Sequence, residues 1–115
     1  MPFHVTPNAF STEAEAIAAI EAAGLKASAA DIGEYSRDLH WHDFDALIGI
    51  VEGQLDVTDE AGQSFECLPG SFLKVTDRPL HTERTSPGRF VYGFDVDVDQ
   101  LERPINRSPE THPSR

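Results

Sequence analysis

The spacing of apolar positions changes character once along the chain. Residues 12–23 read as a helix. Thr12 and Glu15 form a capping box, in which each side chain satisfies a backbone donor of the first turn. Alanine is dense from Ala14 to Ala23, and Gly24 stands where a C-cap is expected. Ile17 and Ile20 lie three apart and share a face, a narrow stripe that predicts a helix on the outside of the domain. The ten residues before it carry no clear pattern. After Gly24 helical periodicity does not return. Short apolar stretches recur at Ala27–Ile32, Leu39–Val51, Gln54–Thr58, Ser64–Cys67, Phe72–Val75, His81–Glu83 and Phe90–Val98. Turn chemistry separates them, as in Glu52-Gly53, Leu68-Pro69-Gly70 and Ser86-Pro87-Gly88. Closely spaced short strands predict an all-β fold, an antiparallel sandwich or barrel over about 27–98. The chain has 115 residues, the size of one domain, assigned here to 1–102.

From Arg103 to Arg115 the chain holds three prolines and one large apolar residue, Ile105. Such a segment buries too little to offset its ordering entropy, which predicts a flexible tail or a strap that orders against another subunit. The formal charge of −11 makes nucleic acid and anionic membrane surfaces poor partners. The N-terminal Met-Pro-Phe-His has no basic or apolar signal region, and the apolar run Ala46–Val51 is too short to cross a bilayer. The single cysteine, Cys67, fits a reducing compartment, so the expectation is a cytoplasmic protein.

The candidate chemistry begins at His40-Trp41-His42. In a strand, residues two apart project from one face, so both imidazoles point the same way. The same parity continues through Phe44, Ala46, Ile48 and Ile50, an apolar set suited to a barrel interior. Trp41, Asp43 and Asp45 face away. Farther on come Gly70, the strand Phe72–Val75, a turn with Pro79, and His81.

This arrangement resembles the cupin family, specifically small single-domain barrels of the cupin 2 type, which carry two short histidine motifs. His40, His42 and Gly53 match the first motif, and Gly70 and His81 match the second. Gly33 is one residue too far from His40, Thr76 and Arg78 replace a proline and a glycine, and Thr85 replaces an asparagine. The metal-binding glutamate of the first motif falls on Ala46. The resemblance covers about Asp31 to Val96. It implies a jelly-roll barrel, a homodimer, and a divalent metal on His40, His42 and His81 without the usual glutamate, as in cupin dioxygenases with three histidines on ferrous iron.

Three neutral imidazoles leave the metal's divalent charge uncompensated, which favours an anionic, chelating substrate. Fe(II) is the favoured ion; Zn(II), Ni(II), Co(II) and Cu(II) also suit such a ligand set. Glu83 shares the inward face with His81, as a fourth ligand, a group orienting an imidazole, or a catalytic general base. Phe44 and Tyr92 are the candidate substrate-binding residues. The expected function is a metal-dependent enzyme, with an Fe(II) dioxygenase foremost, acting on a small anionic or chelating molecule. The alternative is a non-catalytic barrel that binds or senses a small ligand.

Overall fold

The computed structural model describes residues 2–97, 100–101 and 104–114. Val98, where the last strand was expected to end, and residues 102–103, where the tail was expected to begin, lie outside that set.

In chain order the elements are β1 (Phe3–Thr6), α1 (Glu13–Ala22), β2 (Lys26–Ile32), β3 (Tyr35–His40), β4 (Ala46–Glu52), β5 (Leu55–Asp59), β6 (Ser64–Cys67), β7 (Phe72–Val75), β8 (His81–Thr85) and β9 (Gly88–Phe94). The strands form two antiparallel sheets, one ordered β1-β7-β4-β9-β2 and the other β3-β8-β5-β6. Residues from both sheets meet in the main core: Phe3, Ile50, Leu73 and Phe90 from the first, and Leu55, Val57 and Cys67 from the second. Alternation explains this. In β5, Leu55 and Val57 face inward while Asp56 and Thr58 do not.

The expected single stretch from Leu39 to Val51 is two strands. β3 ends at His40 in the four-stranded sheet, and β4 begins at Ala46 in the five-stranded one. Residues 41–45 carry the chain across. The inward parity survives the crossing, because His42, Phe44, Ala46 and Ile48 all line one cavity. The N-terminus also departs from expectation: β1 pairs antiparallel with β7, Phe3 opposite Val75. Four residues with only Phe3 and Val5 apolar are too short a run to stand out.

Helix α1 packs on the outer face of the larger sheet. Thr12 caps it, accepting the Glu15 backbone N–H at 3.2 Å, and the Glu15 carboxylate accepts from the Ser11 N–H at 3.3 Å. Ala16 and Ile20 are fully buried against Phe72 and Val91. A Cβ at Gly93 would collide with Ile20 Cγ2, so only glycine lets the helix sit this close. Gly53 turns β4 into β5 at φ +84°, and a Cβ there would lie 2.8 Å from the Pro87 carbonyl oxygen. Arg89 ties the helix to the sheet through Glu13 at 2.5 Å and Asp31 at 3.0 Å. Among the described residues no helix is long and apolar enough to cross a membrane.

The described part of the tail is hydrogen-bonded to its own chain. Trp41 and Arg107 exchange backbone hydrogen bonds at 3.1 and 2.9 Å. The Trp41 indole N–H reaches the Ser108 carbonyl at 3.1 Å and the Thr111 hydroxyl at 3.0 Å. The Arg107 guanidinium lies 4.6 Å from the indole ring centre. Trp41 does point away from His40 and His42, as its parity predicts. Only 2% of it is exposed, and this strap from the same chain contacts it.

Candidate metal centre

His40, the last residue of β3, lies directly opposite His81, the first of β8. Two residues on, His42 sits in the crossing segment, and two residues beyond His81 stands Glu83. The imidazole centroids are 4.4 Å apart for His40 and His81, 4.9 Å for His40 and His42, and 5.2 Å for His42 and His81. One ligand atom from each of His40, His42, His81 and Glu83 falls within 4.8 Å of all the others. The expected trio is thus brought together, and Glu83 from β8 joins it in a group that could hold a metal ion.

All three rings are held in the same tautomer. His40 Nδ1 lies 2.7 Å from the Asp38 carbonyl, His81 Nδ1 2.9 Å from the Pro79 carbonyl, and His42 Nδ1 2.9 Å from the Ile105 carbonyl. A carbonyl oxygen can only accept, so each Nδ1 carries a proton. In the neutral rings each Nε2 then keeps its lone pair. This is the arrangement by which outer groups orient histidine ligands.

Glu83 Oε1 lies 2.8 Å from His40 Nε2, a buried atom with no hydrogen-bond partner among the described residues. With the ring's proton on Nδ1, two acceptors face one another. Such a facing pair suits a bound cation. The Glu83 Oε2 accepts from the Tyr35 hydroxyl at 3.1 Å.

Protonation favours cation binding. Burial pushes the His81 imidazole down to about 4, with the two neighbouring histidines adding to the Pro79-opposed shift. Burial likewise lowers His42. Burial alone would raise Glu83, but the contact with His40 and the neighbouring imidazoles outweigh it and hold the carboxyl below its ordinary value. Near neutral pH, His42 and His81 are therefore neutral and Glu83 is ionised, the forms a metal needs.

The centre opens into a cavity of about 240 Å³. Phe44 and Tyr92, the two candidate substrate-binding residues, both line it. Phe44 stacks on His42 at 5.3 Å and meets Phe94 edge-on at 4.9 Å. Arg37 and the strap residues Ile105 and Asn106 form its exposed rim. Sequence reasoning missed the roles of Tyr35, Arg37 and the Ile105 carbonyl. A backbone acceptor carries no residue signature. Tyr35 and Arg37 lie in β3, a strand whose start the apolar pattern did not reveal.

No family model matches the chain, and no curated protein matches it significantly. Solved structures do. A DUF861 family protein of unknown function from Pseudomonas syringae pv. tomato DC3000 superposes with a TM-score of 0.55 at 24% identity, over 61% of this chain and 30% of that one. This chain therefore spans under a third of that protein's length. A DUF861 family protein from Thermotoga maritima superposes with a TM-score of 0.53 at 15% identity, over 78% of this chain and 96% of that one. What is shared at these identities is the fold, an antiparallel β-structure.

Proposed function

We propose that this chain is a metal-dependent enzyme with one divalent ion on His40, His42, His81 and Glu83, acting on a small molecule held in the adjoining cavity. The observation that carries this reading is the shared tautomer. Three backbone carbonyls take the three Nδ1 protons, which leaves the Nε2 lone pairs available in a cluster whose ligand atoms, one of them a carboxylate oxygen, lie within 4.8 Å of one another. Structural metal sites are closed, whereas catalytic ones keep positions open. This one borders a cavity, which favours catalysis.

Glu83 changes the electrostatics expected from three histidines alone. It offsets one of the ion's two charges and lowers its pull on an anionic chelator. Both of its oxygens are engaged, one at His40 and one by Tyr35. This supports a ligand role rather than a free general base. Tyr35 holds the carboxylate in place and Phe44 braces His42. When bound, the ion supplies Lewis acidity and, as the favoured Fe(II), reactivity toward dioxygen. The reading includes a small cupin 2 type barrel that assembles as a homodimer.

The test is oxygen uptake by the untagged protein, reconstituted anaerobically with Fe(II) and offered small β-dicarbonyls and thiols. Uptake dependent on both iron and one of these compounds, and lost in His81→Ala, is expected. Binding without consumption of dioxygen or substrate would favour the non-catalytic alternative, a ligand-binding barrel.

A further inference from the structure

Arg37 and Glu83 stand directly opposite in the β3–β8 register. Opposite charges at such positions ordinarily pair. Here they do not. Glu83 turns its carboxylate to His40 and to the Tyr35 hydroxyl. The Arg37 guanidinium instead lies over the Tyr35 ring, 4.5 Å from its centre. Among the described residues Arg37 has no ion-pair partner. Its side chain is exposed.

Position gives this unpaired cation a meaning. Among the described residues lining the cavity, Arg37 is the one permanent cation and Glu83 the one carboxylate, and Glu83 is already engaged. Arg37 sits at the rim beside Asn106, whose amide can donate to an anion. Deeper in, the walls are aromatic and aliphatic: Phe44, Tyr92 and Phe94 with Ile48 and Leu73. Tyr92 and Phe94 stack at 5.8 Å, so a flat ring system already lines one side. The volume, about 240 Å³, is below the range of roughly 300–1,000 Å³ that holds drug-sized ligands.

From this juxtaposition we infer that the cavity takes a small organic carboxylate, its anionic end on Arg37 at the rim and an apolar, ring-sized body against the aromatic wall. The inference names a substrate class for the site proposed above and rests on that reading for the chemistry, not for the binding. The chain's formal charge of −11 opposes any anion at long range. That field is screened beyond about 8 Å at physiological ionic strength, so the guanidinium in direct contact decides.

The probe pair is phenylacetate and its neutral analogue 2-phenylethanol, titrated calorimetrically into metal-free and zinc-loaded protein. Wild type should bind phenylacetate about tenfold more tightly than the alcohol, as expected for a charge-assisted contact. Arg37→Gln should abolish that difference in both forms, and Arg37→Lys should retain part of it. Melting temperature and zinc content of both variants should match wild type, because Arg37 is exposed and outside the histidine cluster. The proposal is overturned if phenylacetate fails to bind at millimolar concentration, if the alcohol binds equally well, or if the preference survives in Arg37→Gln. Survival only in the zinc form would place the carboxylate on the metal and away from Arg37. Failure of the wild type to take up zinc would instead count against the metal centre, and the metal-free titration would still decide the role of Arg37.

Discussion

His42 donates its Nδ1 proton to the carbonyl of Ile105, 2.9 Å away and 63 residues later in the sequence. The other two histidines use carbonyls two residues before them in the chain. One ligand of the centre is therefore oriented by a strap that the barrel itself does not contain. The strap is anchored by Arg107 over the Trp41 ring and by Thr111 on the indole N–H. The double variant Arg107→Ala, Thr111→Val should loosen it without touching a ligand. Metal affinity, measured by chelator competition, should fall by about ten- to a hundredfold, the usual cost of losing a group that orients a ligand. Unchanged affinity would show that the Ile105 contact is incidental.

Acid should destabilise the metal-free protein earlier than carboxylate titration alone would. The folded-state pKa of His81 lies near 4, below its ordinary 6.5. As pH falls through that window, the unfolded chain takes up a proton that the folded one refuses, so stability drops. Glu83, also lowered, continues the loss below 4.5. Urea midpoints should decline from pH 7 to pH 5 in wild type. They should decline less steeply in His81→Asn, and parallel curves would remove His81 as the cause.

Cys67 is completely buried, and burial pushes its thiol up to about 12. The thiolate is the reactive species. Iodoacetamide at pH 8 should leave the native protein unlabelled and modify it promptly in denaturant. A raised folded pKa favours the native state below the unfolded value of 9.0, and that contribution fades as pH climbs toward 12. Rapid labelling under native conditions would contradict the packing described.

Gly93 permits the close seat of helix α1. Gly93→Ala should cost about 1–3 kcal/mol, the usual penalty for overpacking. The clash involves Ile20 Cγ2, so the penalty should shrink when Ile20 is already alanine. A double-mutant cycle by denaturant unfolding measures this coupling, and strict additivity would exclude the contact.

Much of the centre was legible because its determinants are local. Two imidazoles two residues apart must share a face in extended chain, and Glu83 follows His81 at the same spacing. Phe44, Ala46 and Ile48 then extend the pattern into the cavity wall. The crossing between sheets at 41–45 was hidden because the alternation of inward and outward positions passes through it without a break. The strap was hidden for another reason. Composition showed a segment unable to bury much surface, but its contacts include hydrogen bonds to Trp41, His42 and the Arg78 carbonyl and an ion pair with Asp43, and those carry no periodic signal.

The central claim is that His40, His42, His81 and Glu83 form one metal site. Elemental analysis of untagged wild type, His42→Ala and His81→Ala tests it most directly, before and after incubation with Fe(II) or Zn(II). The account predicts close to one ion per chain in the wild type and a loss of that ion in both variants. A wild type that stays metal-free after incubation, or variants that bind as much as wild type, would contradict it.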